Sequence, residues 1–468
     1  FVMVQPGAYA KDWFCRQRCT MEFWHYGDVL LKAYDQLFPF IRRDDALAAS
    51  VNRFVSWVRT PDDVVKLIDT YLVQEHAKRI MRYNTLDANN PARLATVAAY
   101  AANRTLTDPW LEWVFSRTWI YPLSVAGVAD LISTGCDREG MKRIGSFYYA
   151  QVEEASRNGE LMETYIRSGG DPKYDLSDSA RYPKVVAGTY WFLRSRIAGL
   201  YFPRIGDVTG PVARHGYWFE YMEAPVRRGW RWTKDPQFAW MLKSCFGRKD
   251  MTDGEWAEVE AAAEKQARAP WLENRSRVLS NWMGVLESGT QYDDYRFRRA
   301  LFLRVGQGHG HGHNDTLDMQ FYMHGLPMTL DGGARPGYSS PGDSVSRVHN
   351  LVEVDGVNWL TNSWITALTD TDGARYMAAQ AEPPRSMANV KLYRRQVALI
   401  DVGEGSGARK LTPAELNPSF AKLDPDVVTP SSYVFDVVRV SGGTQHTYCF
   451  HGPCKDDAYV VNITDRRP

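Results

Sequence analysis

Residues 298–315 read RRALFLRVGQGHGHGHND, an apolar and aromatic run followed by three histidines that alternate with glycine. On an extended segment His309, His311 and His313 project to the same face, because side chains alternate along a strand. Glycine lets the backbone bend and leaves space for a ligand beside the imidazoles. We therefore predict a β-strand that ends near Val305 and leads directly into a histidine cluster.

Short runs of the same kind recur through the C-terminal part of the chain. They are rich in β-branched or aromatic residues and are bounded by Gly, Asp, Asn and Pro. They cover residues 298–305, 318–323, 351–357, 396–402 and 433–440. The pattern predicts an antiparallel β-sandwich over residues 276–468. Ser441-Gly442-Gly443 predicts a hairpin between two of its strands.

The sequence before residue 275 has a helical period instead. Helical segments are predicted at residues 46–59, 61–82, 94–102 and 252–268. Thr60 is expected to cap one of them, with Pro61 in its first turn. The predicted fold class is therefore α+β multidomain, with an all-helical domain over residues 1–275 followed by the β domain.

Composition excludes several classes of protein. The chain has 468 residues, 44% hydrophobic and 24% charged, which is typical of folded globular proteins and not of disordered ones. Lys and Arg number 56 against 55 Asp and Glu, so the net charge of +1 gives no reason to expect a nucleic-acid partner. No run approaches the roughly 18 apolar residues of a membrane span. Because the sequence opens at Phe1 without a leader, we expect a mature or trimmed product.

Six cysteines are too few for a disulfide scaffold. Two pairs are close in sequence, Cys15 with Cys19 and Cys449 with Cys454. Each pair is either a local disulfide or two buried thiols, and the sequence does not decide between them.

Two further residues extend the histidine cluster towards a metal site. Asp331 lies in Leu-Asp-Gly-Gly, and His349 lies in Arg-Val-His-Asn. Two imidazoles and a carboxylate suit zinc. The alternative is that Asp331 only caps the turn at the two glycines.

These motifs together resemble a known family. Residues 308–331 followed by RVHNLVEVDG at 347–356 are similar to the C-terminal domain of heparinase II/III-type polysaccharide lyases. Residues 283–289 (MGVLESG) resemble the strand that opens this domain, and residues 442–452 resemble a later hairpin. The similarity covers residues 277–455. It reaches the helical half through residues 137–149, where Ile144 stands in place of the family's usual acidic residue.

The resemblance implies a fold and an activity. Such lyases combine an incomplete (α/α) toroid with an antiparallel β-sandwich, and they cleave uronate-containing polysaccharides by β-elimination. The implied partner is an acidic polysaccharide, and the implied location is secreted or periplasmic. The oligomeric state stays open, with a homodimer as one option.

The resemblance also implies roles for residues of the β domain. His311 matches the catalytic histidine of the family. His313, Asp331 and His349 match a structural zinc site. Elimination also needs a proton donor and a group that neutralises the uronate carboxylate.

The helical half is expected to supply those two functions across a cleft between the domains. Tyr149, or its neighbour Tyr148, matches the family's tyrosine, which donates the proton and is a candidate base. Asn90 or Asn89 is the candidate that binds the substrate carboxylate.

Three more residues are candidates for substrate binding, namely Tyr338, Arg347 and His215. Two other functions stay open. One is a zinc-dependent glycan hydrolase, in which the metal activates water. The other is a carbohydrate-binding protein on the same scaffold that has lost catalysis, an alternative that the Ile144 departure keeps open.

Overall fold

A computed structural model gives the structure of the parts of the chain described here. They are residues 31, 33–74, 77, 104–115, 118–120, 124–126, 137–140, 162–163, 165–206, 223–279, 283–306, 312–323, 325–329, 344–384, 387, 389–402 and 432–452. The chain divides into two compact units, one of residues 1–136 with 152–186 and one of residues 137–151 with 187–468. The domain boundary predicted near residue 275 stays a prediction.

After a helical stretch at residues 33–41, the first unit has two short helices, α1 (Asp45–Asn52) and α2 (Pro61–Ile68). Thr60 accepts a hydrogen bond from the backbone N–H of Asp63, and Asp63 accepts one from the N–H of Thr60. This reciprocal cap satisfies two N–H groups that the helix cannot satisfy itself. The predicted cap at Thr60 and the proline in the first turn are confirmed. Ala48, Val58, Val64 and Leu67 form the apolar cluster between these segments.

The rest of the first unit contains α3 (Arg104–Phe115) and an antiparallel strand pair, β1 (Thr118–Ile120) with β2 (Ser124–Ala126). No strands were expected from the sequence in this part of the chain. The helix predicted at residues 94–102 lies outside the described residues. Within the parts of the chain that the structure describes, no helix is long and apolar enough to cross a membrane.

Among the described residues, five short α-helices precede the strands of the second unit, and the first of them crosses the division between the units at residue 186. They are α4 (Pro183–Gly188), α5 (Trp191–Arg194), α6 (Glu223–Thr233), α7 (Pro236–Met241) and α8 (Asp253–Ala263). The last of these confirms the helix predicted from residue 252. Thr252 and Glu255 form the same reciprocal cap at its start.

Five strands of the second unit form one antiparallel sheet in sequence order. They are β3 (Arg277–Leu279), β4 (Met283–Ser288), β5 (Arg299–Arg304), β6 (Met319–Met323) and β7 (Leu326–Pro327). All six residues of both β4 and β5 are buried. A strand buried on both faces does not alternate between apolar and polar residues, which explains the apolar run at residues 300–303. The arginines at the two ends of β5 are buried with carboxylate partners, Arg299 with Asp401 and Arg304 with Asp315.

Four longer strands form a second antiparallel sheet, in the order β12-β11-β10-β9. They are β9 (Ser363–Thr371), β10 (Ala374–Ala381), β11 (Leu392–Asp401) and β12 (Ser432–Ser441). Leu286 and Leu303 of the first sheet share one apolar core with Met377 and Val397 of the second. The prediction of antiparallel sheets after residue 275 is confirmed.

A third pairing joins β8 (Val352–Val354) to β13 (His446–Tyr448). The predicted hairpin at residues 441–443 is therefore wrong, because β12 pairs with β11 and β13 pairs with β8. Gly442 and Gly443 both have positive φ, 98° and 80°. That backbone, which other residues rarely adopt, carries the chain from one sheet to the next.

The turn after β4 gives a first test of this fold. Gly289 has φ 67°, and a Cβ placed on it would overlap the carbonyl oxygen of Phe297. We expect Gly289→Ala to lower the free energy of unfolding by about 2–5 kcal/mol, from backbone strain and the clash together. Gly373 has φ 83° and open space around it, so Gly373→Ala should cost only the strain, about 1–2 kcal/mol. Denaturant unfolding of both variants measures the difference, and equal losses would contradict the described turn.

Candidate functional site

His313 and His349 lie close together in the structure. His313 comes after the strand β5 and the glycine–histidine segment, and His349 follows a single turn of 3₁₀ helix, Ser346–Val348. Both side chains are buried, with 1% and 0% of their surface exposed. Their ring centres are 5.4 Å apart, and the rings are tilted by 44°. The structure thus brings together two of the three predicted metal ligands.

Backbone and side-chain hydrogen bonds hold the two histidine segments side by side. The backbone N–H and the side-chain amide of Asn314 both donate to the carbonyl oxygen of Ser344, at 2.9 and 2.7 Å. The hydroxyl of Ser346 donates to the carbonyl oxygen of Asn314 at 2.9 Å. Ser346 also accepts a hydrogen bond from the backbone N–H of Trp359 at 2.8 Å. Asn314, directly after His313, is therefore fixed by the segment that leads to His349.

A second set of bonds fixes the residue after His349. Asp318 accepts a hydrogen bond from the backbone N–H of Asn350 at 2.7 Å. The side-chain oxygen of Asn350 accepts one from the backbone N–H of His451, also at 2.7 Å. Asp318 and Asn350 are fully buried. A buried carboxylate is stable only when it is hydrogen-bonded, so this contact orders the strand entry beside His349.

Arg347 is the one predicted substrate-binding residue that the structure describes. Its guanidinium is largely exposed and donates to the buried carboxylate of Glu353 at 2.8 Å. This hydrogen bond raises the pKa of Arg347 above its ordinary value. The carbonyl oxygen of Arg347 lies 2.9 Å from Nε2 of His451. Arg347 is therefore a positively charged surface group, two residues from His349, whose position is fixed by Glu353.

The histidine pair fits a zinc ion. Zinc bound at about 2.1 Å by one nitrogen of each ring, at a tetrahedral angle, would place two ring centres roughly 5 Å apart. The observed 5.4 Å agrees with that separation. Among the residues whose positions are described, no three His, Cys, Asp or Glu side chains form a metal cluster. The third predicted ligand, Asp331, lies outside the described residues.

Most of the other predicted site residues also lie outside the described residues. They are His311, Tyr148, Tyr149, Asn89, Asn90, Tyr338 and His215. Their roles stay predictions. The same holds for Cys15, Cys19 and Cys454, whereas Cys449 is buried and its pKa is raised by that burial.

The residues that support the histidine pair were not predicted from the sequence. Arg395, on β11, is fully buried and donates to the carbonyl oxygens of Leu317 and Asn350. It also forms hydrogen bonds of 2.9 and 2.8 Å with the carboxylate of Asp436. Side chains alternate along β11, so Arg395 points inward like Tyr393 and Val397. This alternation could have predicted that Arg395 is buried.

Comparison with known proteins gives similarity at the level of the fold. No family model matches the sequence, and no curated protein matches it. A crystal structure of heparinase III superposes with a TM-score of 0.50 at 10% identity, covering 80% of this chain and 52% of that one. The heparan sulfate lyase HepC from Pedobacter heparinus gives 0.46 at 14% identity, covering 73% and 48%. The superposition on heparinase III shows a fold of the heparinase type. The chain spans about half the length of the solved structures it matches.

Proposed function

We propose that this chain is a polysaccharide lyase that cleaves uronic-acid-containing polysaccharides by β-elimination, on an incomplete (α/α) toroid followed by a β-sandwich. The observation that carries the proposal is the buried pair of His313 and His349, which holds the end of the segment that contains His311. The solved structures with this fold are named heparinase III and heparan sulfate lyase, and those names support the choice of activity.

The proposed reaction needs three functions. A base removes the proton on C5 of the uronate, the C4–O bond breaks, and its electron pair leaves with the oxygen while a C4–C5 double bond forms. The leaving oxygen takes a proton from an acid, and no water is consumed. Donors must neutralise the carboxylate, because the intermediate otherwise carries too much negative charge. Acid and base must lie within hydrogen-bond reach of the reacting atoms.

We assign these functions to residues of the predicted motifs. Tyr149 donates the proton to the leaving oxygen, with Tyr148 as the alternative. His311, in the β domain, is the proposed catalytic histidine at the scissile bond. Asn90, or its neighbour Asn89, binds the uronate carboxylate. Tyr338, Arg347 and His215 remain candidates for contacts along the sugar chain.

We further propose that His313, His349 and Asp331 hold one structural zinc ion. The ion would link the two imidazoles and the carboxylate, and it would so fix the ends of the segments around His311. Removing a ligand should then lower the metal content and the thermal stability together, because binding energy at such a site adds to folding energy.

The zinc site is tested by comparing two histidine-to-alanine variants. We expect His349→Ala to lose most of the bound zinc and to melt at a lower temperature. His446 is exposed, and its ring lies 2.8 Å from the carbonyl oxygen of Gly442, so His446→Ala should keep the metal. Elemental analysis and thermal melting measure both effects. A purified, unchelated protein without a stoichiometric divalent ion would refute the zinc assignment.

A polysaccharide screen tests the activity. Alginate, ulvan, heparan, chondroitin and hyaluronan should be incubated with the protein and followed by the absorbance of unsaturated uronate. We expect the absorbance to rise with at least one of them. Saturated reducing ends would instead support the hydrolase, and affinity without turnover would support the binding protein.

The proposed partner is thus an acidic polysaccharide, met in a secreted or periplasmic location. The oligomeric state stays open, with the homodimer as one option. Sedimentation of the purified chain would determine it.

A further inference from the structure

The sheet β9–β12 separates its charges between its two faces. Its strands contain three carboxylates, Asp370, Asp401 and Asp436, and four arginines. Asp401 accepts a hydrogen bond from Ser288 of the other sheet and pairs with Arg375, which also contacts Asp370. Asp436 pairs with the buried Arg395. All three carboxylates thus pair with two of the four arginines.

The remaining two arginines, Arg394 and Arg439, lie on the other face. Arg394 lies between Tyr393 and Arg395, whose side chains are buried, and alternation therefore directs Arg394 outward. Arg439 is exposed, between two valines that pack on the core. Within the parts of the chain that the structure describes, neither arginine forms an ion pair. Burial leaves Nε of Arg394 without a hydrogen-bond partner among those same residues.

The two arginines are also directly opposite each other across β11 and β12. Like charges in this position repel and lower stability unless an anion lies between them. The guanidinium group is suited to a carboxylate or sulfate, because its planar donors can form two parallel hydrogen bonds. One carboxylate, Glu382, follows directly after β10 on the same face. With two arginines and one glutamate, this face keeps a net positive charge.

The row of residues that contains the arginines continues across the whole sheet. Arg394 is opposite Gln380 on β10, and Gln380 is opposite Trp364 on β9. The row therefore offers two cations, an amide and an indole over three strand spacings, roughly 14 Å. Trp364 is 37% exposed. Such a flat row of charged, hydrogen-bonding and aromatic groups matches an extended anionic sugar chain better than it matches a compact ligand.

Two more aromatic side chains lie further along the same face. Tyr433 and Phe435 on β12 are 51% and 59% exposed. Between them and the arginine row, the side-chain amide of Gln396 donates to the hydroxyl of Tyr376 at 2.6 Å, which holds that ring in place. Exposed rings held by a sheet are suited to stacking on the apolar faces of sugars.

We propose that this outer face, centred on Arg394, Arg439, Gln380 and Trp364, is a second binding surface for acidic polysaccharide, separate from the histidine site. The occupant is one strand of a sulfated or carboxylated polysaccharide, whose anionic groups bind between the two arginines. The inference rests on the proposed function for its choice of ligand, and it predicts tighter binding of long chains than of short ones.

The test uses labelled heparin as the anionic probe and labelled dextran as the neutral one. All proteins carry His311→Ala, so that the probe is not cleaved. We expect Arg394→Gln with Arg439→Gln to weaken heparin binding about tenfold, and the two Arg→Lys replacements to weaken it less, since charge remains but paired hydrogen bonding is lost. Dextran binding should not change.

A charge-matched control uses Lys243 and Lys265, two exposed lysines away from the sheet. Lys243→Gln with Lys265→Gln should leave the heparin dissociation constant within about twofold, because distant exposed charges are screened by salt. Equal weakening in both double variants, no weakening in either, or no heparin binding by the parent protein would overturn the proposal. So would a change in oligomeric state of the arginine variant without a change in heparin affinity, because it would indicate a second copy of the chain as the occupant.

Two readouts separate this surface from the fold and from the activity. Removing two repelling charges should not lower the melting temperature of the Arg→Gln variant. With His311 restored, the variant should cleave short oligosaccharides at the parent rate but cleave long chains with a higher KM. Absence of all cleavage with heparin binding still dependent on the arginines would refute the lyase and leave the surface standing. Cleavage with equal KM for long and short chains would refute the surface alone.

Discussion

Replacing Tyr149 with Phe is expected to reduce turnover by roughly 100- to 10,000-fold, the usual loss when general acid–base help is removed. The substitution keeps the aromatic ring and deletes only the hydroxyl that we propose to protonate the leaving oxygen. The melting temperature should therefore stay close to that of the unchanged protein. Initial rates on the polysaccharide found by the screen measure the effect.

Tyr148 provides the matched control for this experiment. Tyr148→Phe removes the same hydroxyl from the adjacent position and should leave most of the activity. An inactive Tyr148→Phe with a nearly normal Tyr149→Phe would move the role by one residue. Nearly normal activity in both variants would exclude tyrosine from the mechanism and favour the metal-dependent hydrolase.

His311→Ala should abolish turnover and yet retain zinc, because His313 and not His311 is the proposed ligand. The paired measurement of rate and metal content distinguishes the two histidines. Loss of zinc in His311→Ala would show that the ligand and the catalytic residue had been assigned the wrong way round.

Replacing Arg395 with Met is expected to lower the free energy of unfolding by about 3–5 kcal/mol, because it leaves the carboxylate of Asp436 without its charged partner. Burial alone would lower the pKa of Arg395, but the charge of Asp436 and its hydrogen bonds raise that pKa above its ordinary value. The guanidinium therefore stays charged in the core. It also donates to the carbonyl oxygen of Asn350, beside His349.

The neighbouring arginine gives a control within the same strand. Arg394 faces outward without an ion pair among the described residues, so Arg394→Met should change stability by about 0.5 kcal/mol or less. The double variant Arg395→Met with Asp436→Leu should recover much of the loss, because it removes both charges at once. Denaturant unfolding measures all three variants. Equal effects of Arg394→Met and Arg395→Met would contradict the alternation assigned to β11.

Local features of the fold could be predicted from the sequence. The strand before the histidines was predictable because residues 300–303 form an uninterrupted apolar run. The cap at Thr60 was predictable because the residue types at Thr60 and Asp63 satisfy each other. The approach of His313 to His349 was predicted through the family resemblance. Nothing in the spacing of 36 residues between them would have given it.

Features that depend on distant partners could not be predicted. The pairing of β13 with β8 rather than with β12 depends on hydrogen bonds such as the one from Asp355 N–H to the carbonyl oxygen of Gln445, 90 residues away in sequence. The role of Arg395 depends on carbonyl groups from two other segments. The sequence indicates whether a strand residue points inward or outward. It does not indicate which groups an inward side chain will contact.

The central claim is that the chain cleaves its substrate by elimination, and mass balance tests it most directly. A defined uronate-containing oligosaccharide is cut once, and the masses of the two products are measured. The account predicts that they add up to the mass of the substrate, with the unsaturated ring on one product. Products whose masses add up to the substrate plus one water molecule would show hydrolysis and contradict the account.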